Sequence, residues 1–242
     1  MIYWEAMQAQ IAETREVAEG TLFVVFDLLG QEVDFTPGQY FWVELPDRGF
    51  EDDRGLRRHV SVCTSPTERG VLGLATRIRD TAFKQTLAQL EVGDDVDVEQ
   101  PKGDFLLPAE DGGPYAFVAG GIGITVFRCM LRYIADRGLG HRVTLVYSNR
   151  DRASTAFLDE LTELEERIPG LRVVLTMNED PEWDGETRMV DEAMLRDVLG
   201  DEFDETTFLV AGPPPMVDAV VESLEGAGLP EGQIRPDKFS GY

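Results

Sequence analysis

Apolar residues in the first hundred positions come in short runs rather than helical stripes. Thr21-Leu22-Phe23-Val24-Val25-Phe26 is one run, 40–45 is another, and 58–64 and 72–79 continue the series. Their β-branched and aromatic side chains are parted by turn residues such as Pro37-Gly38 and Glu68-Arg69-Gly70. Many short strands at this spacing predict a barrel or sandwich. One short helix, 83–90, interrupts them and stops before Val92-Gly93-Asp94.

The rhythm changes after Pro108-Ala109-Glu110-Asp111-Gly112-Gly113-Pro114, which reads as a linker and divides the chain into domains 1–110 and 111–242. Strands are predicted at 115–119, 142–147, 171–177 and 207–211. Helices are predicted at 124–137, at 154–167 with Ser154 as N-cap, at 190–199 and at 214–227. Strand–helix alternation of this kind makes a parallel sheet covered on both faces.

Composition narrows the function. The 242 residues carry 22 Lys and Arg against 46 Asp and Glu, a net charge of −24. A surface so acidic repels phosphate backbones, which excludes nucleic-acid binding. Lys84, Lys102 and Lys238 are the only lysines, and acidic runs such as Glu51-Asp52-Asp53 and 202–205 around Phe203 fall between periodic segments. This is read as adaptation to high salt, the pattern of a halophile. Cys63 and Cys129 form no CxxC pattern, so an internal four-cysteine cluster is excluded; two reduced, buried thiols are expected. Met1-Ile2-Tyr3-Trp4-Glu5 has neither the basic nor the apolar region of a signal peptide. With no run of about 20 apolar residues, the expectation is a cytoplasmic protein with no membrane span.

Two segments carry the chemistry of the second half. Phe117-Val118-Ala119-Gly120-Gly121-Ile122-Gly123-Ile124-Thr125 runs from strand through glycines into helix. Glycines let the backbone approach a diphosphate, which sits on the free N–H groups and positive end of the helix. A tight turn without a ligand is the plain alternative. Phe208-Leu209-Val210-Ala211-Gly212-Pro213-Pro214-Pro215-Met216 repeats the strand–turn–helix form, with proline tolerated in the first helical turn. Two such turns at the carboxyl ends of parallel strands flank one crevice. In the first half, Arg57-Arg58-His59-Val60-Ser61 offers a forked phosphate donor in Arg58 and a short hydroxyl in Ser61. Thr76-Arg77-Ile78-Arg79-Asp80-Thr81-Ala82-Phe83-Lys84 leads into a helix start suited to a second anion.

Taken in order, these segments resemble the ferredoxin–NADP reductase superfamily, in particular its small two-domain bacterial and archaeal members. Pro37-Gly38-Gln39-Tyr40, Lys102-Gly103-Asp104-Phe105 and Asp237-Lys238-Phe239-Ser240-Gly241-Tyr242 extend the resemblance over almost the whole chain. It implies an antiparallel six-stranded flavin-binding barrel followed by a five-stranded parallel α/β nucleotide-binding domain. It implies FAD held by Arg58, Thr81 and Lys84, with His59, Val60, Thr76, Ile78, Ala82 and Phe83 among the cofactor-binding residues. Ser61 is placed at flavin N5. NAD(P)H is received by Gly120, Gly121, Gly123 and Thr125 with Gly212, Pro213 and Met216, and Arg150 is placed near the adenosine ribose. Phe239 or Tyr242 shields the flavin, so Ser61, Thr125, Phe239 and Tyr242 are the candidate catalytic residues.

The chain departs from the pattern at Val60, where Tyr or Phe is usual, at Val126 for Pro, and at Ala211 where many members have Cys. The glycines of the family's diphosphate loop are absent from 81–84. His59 alternates away from Arg58 and is read as structural, and His141 is read as a surface residue. Arg150 and Arg152 suit a 2′-phosphate, yet Asp151 lies between them, leaving NADH and NADPH both open. The implied activity is that of a flavoenzyme passing hydride from nicotinamide to flavin and electrons to a ferredoxin- or flavodoxin-type carrier. A reductase subunit of a larger redox or oxygenase complex and a non-catalytic nucleotide-sensing module are the alternatives.

Overall fold

The computed structural model describes residues 6–109 and 112–239. The chain forms two compact units. The first runs to Leu107 and includes Arg128–Tyr133; the second takes Pro108–Phe127 and the chain from Ile134 onward.

In the first unit, β1 (Met7–Ala18), β2 (Thr21–Asp27), β3 (Tyr40–Glu44), β4 (Arg57–Ser61), β5 (Val71–Arg77) and β6 (Asp95–Val98) form one sheet in the order β4-β3-β6-β1-β2-β5. Every pairing is antiparallel. Ala9, Ile11, Val24, Phe26, Phe41, Val43, Val96 and Val98 turn to a common core, where Phe26 meets Phe41 edge to face at 6.0 Å. The two edge strands are drawn together just past Ser61. Cys63 N–H donates to Gly73 O at 2.8 Å, and Gly73 N–H donates to Thr64 Oγ1 at 3.0 Å. A Cβ on Gly73 would lie 2.7 Å from Thr64 Cγ2, so glycine permits this closure. Helix α1 (Ala82–Leu87) sends Phe83 and Leu87 into the same core.

The second unit alternates β7 (Tyr115–Gly120), α2 (Ile124–Arg137), β8 (Val143–Asn149), α3 (Leu158–Arg167), β9 (Leu171–Met177), α4 (Glu192–Leu199), β10 (Thr207–Gly212), α5 (Pro214–Gly226) and β11 (Ile234–Lys238). Its sheet order is β11-β10-β7-β8-β9, parallel throughout. All six residues of β7 are buried, as a central strand covered on both faces requires. Val118 and Val210 pack toward α4 and α5, while Phe117 stacks on Phe127 of α2 at 4.8 Å. Among the described residues no helix is long and apolar enough to cross a membrane.

The six-stranded antiparallel and five-stranded parallel sheets agree with the expected fold, but three local expectations fail. Helix α3 starts at Leu158, not near Ser154, because Asp151 captures Ser154: its Oδ1 accepts the Ser154 N–H at 2.7 Å, closing a turn ahead of the helix. His141 is 2% exposed rather than a surface residue, with Nε2 2.8 Å from Pro108 O and its ring 5.7 Å from Tyr115. Helix α1 ends at Leu87, its last backbone bonds tightening into Gln89 N–H to Thr86 O and Leu90 N–H to Leu87 O. Both cysteines are free and buried, as expected.

Candidate functional site

Strand β4 pairs with β3 in the register Tyr40–Ser61, Phe41–Val60, Trp42–His59 and Val43–Arg58. Alternation therefore sorts the motif into two sets. Val60, 6% exposed, points into the core beside Phe41. His59 takes the other side with Trp42 and Tyr40, its ring 5.0 and 5.5 Å from theirs. Partial burial, then the charges of Arg54 and Arg58, lower the His59 pKa. Ser61 is half-buried in register with Tyr40.

Arg58 reaches toward the start of α1. Its Nη1 donates to the carbonyls of Arg54, Arg57 and Gly55 at 2.6, 2.8 and 2.9 Å, and its guanidinium lies 5.7 Å from the Phe83 ring centre. Nη2 is buried, makes no hydrogen bond, and stands 3.7 Å from Asp52. Asp52 Oδ2 accepts the Ala82 N–H at 2.8 Å. Thr81 caps α1, its Oγ1 accepting the Lys84 N–H at 3.4 Å. The Asp52 carboxyl is held below the usual range by the Ala82 amide first, then by the Arg54 amide and the Arg58 charge. Lys84 is only 4% exposed. Burial, followed by the charges of Arg79, Arg54, Arg58 and Arg77, lowers its pKa to about 8.

The structure thus gathers Arg58, Thr81, Ala82 and Lys84, with Phe83 packed beneath Arg58. Thr76 is buried within β5, and Ile78 follows that strand, its N–H donating to Gly20 O at 2.7 Å. Sequence reasoning missed Asp52, Arg54, Arg77 and Arg79. Asp52 hid inside an acidic run read as solvated surface, whereas Arg77 and Arg79 flank Ile78 in a segment already singled out.

In the second unit the two glycine turns pack against each other. A Cβ on Gly120 would lie 2.7 Å from Met216 Sδ and 3.2 Å from Pro213 Cδ; on Gly123 it would lie 2.2 Å from Ala211 O. Gly212 lies 3.0 Å, by the same measure, from Gly120 O. Gly121 differs: φ is +50° and nothing stands within 4 Å of a Cβ there. Gly123 and Gly212 thus pack against backbone, Gly120 against the Met216 and Pro213 side chains, and Gly121 opens onto free space. Thr125 is buried, and its hydroxyl donates to Ile122 O at 3.1 Å, fastening the turn. Phe239 N–H donates to Gly212 O at 2.9 Å, which brings the residue after β11 to the second turn. Arg150 is exposed beyond β8, while Arg152 is tied to Asp180 at 2.9 Å and Glu182 at 3.4 Å. Tyr242 lies outside the described residues.

The sequence profile of the oxidoreductase NAD-binding domain matches residues 117–222. The phenol 2-monooxygenase reductase component DmpP of Pseudomonas sp. (strain CF600) is 30% identical over 218 residues, covering 87% of this chain and 59% of that protein. The propane 2-monooxygenase reductase component of Mycolicibacterium goodii is 29% identical over 213 residues, covering 86% of this chain and 60% of that protein. The chain therefore spans about three-fifths of the length of these curated relatives. Among solved structures, the Amycolatopsis cytochrome P450 reductase GcoB superposes with a TM-score of 0.82 at 26% identity, over 99% of this chain and 72% of that one.

The packing of the turns yields a direct test. Gly123→Ala places a methyl group against a backbone oxygen that cannot swing aside, so it should destabilise the protein by about 1–3 kcal/mol. On the expectation that a dinucleotide sits at the start of α2, it should also weaken NAD(P)H binding at least about tenfold by moving that start. Urea unfolding and a binding titration check both effects; wild-type values in both would refute the packing argument.

Proposed function

We propose that the chain is a ferredoxin reductase-like FAD- and NAD-binding oxidoreductase, moving a hydride from NAD(P)H to bound FAD and passing electrons singly to another protein. FAD, when bound, supplies the acceptor for two electrons and the donor of one at a time. The chain's own residues bind and place the two dinucleotides. Residues 1–110 take FAD and 111–242 take NAD(P)H.

The observation that carries this reading is the gathering of Arg54, Arg58, Arg77 and Arg79 within electrostatic reach of Lys84, in a chain of net charge −24. Such a concentration of positive charge fits a diphosphate. The buried Arg58 Nη2 still lacks a hydrogen-bond acceptor, and the Asp52 carboxylate already stands at the α1 amide where an anion is taken. Arg58, Lys84 and the Thr81 and Ala82 amides hold the FAD diphosphate, and Ser61 Oγ makes one hydrogen bond at flavin N5. The Gly120–Gly123 turn and α2 start hold the NAD(P)H diphosphate, Thr125 fixing that turn through Ile122. Gly212, Pro213 and Met216 form the opposite wall, Arg150 lies by the adenosine ribose, and Phe239 or Tyr242 covers the flavin.

The acceptor is a separate ferredoxin- or flavodoxin-type carrier or an oxygenase component. The second option is favoured by the likeness to monooxygenase reductase components. The acidic surface suits a halophile's cytoplasm.

Purified protein supplied with FAD should be yellow and should bleach on anaerobic addition of NADH or NADPH. A colourless preparation that takes up no added FAD overturns the proposal, and stopped-flow comparison of the two nucleotides ranks them.

Lys84 gives a pH dependence. Its proton is lost as pH rises through about 8, so FAD affinity should fall above that point by at most about tenfold per pH unit. Lys84→Gln should flatten the profile; an affinity independent of pH from 7 to 9 in the unaltered protein would remove Lys84 from the site. The depressed pKa also means that the folded state releases this proton before the unfolded chain does. Ligand-free stability therefore gains from Lys84 as pH rises from about 8 toward 10.5.

Added KCl should raise the melting temperature by screening self-repulsion among the 46 acidic residues. A melting temperature that falls steadily with KCl would reject the high-salt reading.

A further inference from the structure

Arg128 is 3% exposed, a charged side chain in a place where its length would suit Met or Leu. Removing a guanidinium from water is costly, and apolar replacement of buried ionic groups is often neutral or stabilising. Packing alone does not account for an arginine here. Its Nη1 donates to Cys63 O at 2.6 Å, its guanidinium lies 4.9 Å from the Phe23 ring centre, and Glu68 Oε2 is 3.9 Å away. Glu68 Oε2 accepts the Ser65 N–H at 2.6 Å, so the charge pair is tied to the same turn.

Met130, two residues beyond Arg128, packs at a second strand end: its Cε is 2.7 Å from where a Cβ on Gly38 would lie. Gly38 lies two residues before Tyr40, and Cys63 two residues after Ser61. Tyr40 and Ser61 are register partners, and Val62 N–H donates to Gln39 O at 2.9 Å. Both backbone segments flanking the Tyr40–Ser61 pair are therefore held by Arg128–Met130, which belongs to the first unit.

We propose that Arg128 is a positioning residue for Ser61, its hydrogen bond to Cys63 O setting the backbone that carries the Ser61 hydroxyl. This rests on the flavin reading above. The side chain touches neither cofactor in this role; it acts through the strand.

The test compares the full chain with Arg128→Met and Arg128→Lys variants, each supplied with FAD. For Arg128→Met we expect FAD affinity within about threefold of the original, but faster amide exchange at Val62, Cys63 and Ser65 in the FAD-free protein. The limiting rate of bleaching by NADH should drop by about ten- to a hundredfold, with the NADH dissociation constant unchanged. Arg128→Lys, which keeps the charge and one donor, should recover part of that rate. Unaltered exchange and bleaching in Arg128→Met would overturn the assignment. Should Arg128→Met not fold, an Arg128→Lys protein matching the original in exchange and rate would overturn it as well. If the unaltered protein takes up no FAD, the flavin reading itself fails, whereas a yellow, active parent beside an unaffected variant fails this assignment alone.

Discussion

Holding an anion is the constraint that the proposed function places on this molecule, because nearly everything else in it repels one. With a net charge of −24, the mean field at the surface opposes the approach of any dinucleotide. Salt weakens that field over a few ångströms but supplies no attraction of its own. Binding must come from charges and dipoles fixed at short range. In the first unit the proposed ones are side chains: Arg58 and Lys84 beside the first amide of α1, with Arg54, Arg77 and Arg79 close enough to lower the Lys84 pKa. In the second they are backbone groups, the amides of the Gly120–Gly123 turn and the end of the α2 dipole.

The side-chain solution carries a tension. Cations crowded together raise one another's energy, and the structure relieves this with Asp52, which reaches the Ala82 amide at 2.8 Å and the Arg58 guanidinium at 3.7 Å. An anion using these donors takes them from a carboxylate rather than from water. Gly121 faces open space, and the neighbouring glycines are consumed in packing the two turns together.

That difference explains what the sequence disclosed. A glycine turn is local: strand, three glycines and helix stand within ten residues, so both nucleotide turns were legible, as were the runs that became β2, β3, β4 and β5. β1 was not, since Glu13, Arg15 and Glu16 dilute its alternation while Ala9 and Ile11 do the packing. β6 offers four residues, and β11 contains Pro236, tolerated because that strand lies at the sheet edge. The cluster around Arg58 joins residues from Asp52 to Lys84 through tertiary contacts, and no spacing rule announces that an acidic run will set one carboxylate on a helix amide. Arg128 lay unremarked for the same reason: its partner, Cys63, is 65 positions away.

Several polar groups at the turns and strand ends are spent on the chain itself. Thr125 gives its hydroxyl to Ile122 O, Arg128 gives Nη1 to Cys63 O, and Phe239 gives its amide to Gly212 O. None of these donors is presented as a nucleophile or a proton donor to substrate. Under the proposed function the cofactors would carry the reactive chemistry, and each of these bonds removes freedom from a backbone segment proposed to hold one of them. The departures at Val60 and Ala211 are consistent with the same division of labour. One side chain is turned into the barrel core and the other is buried in the sheet, where they shape the scaffold and leave the chemistry to what it holds.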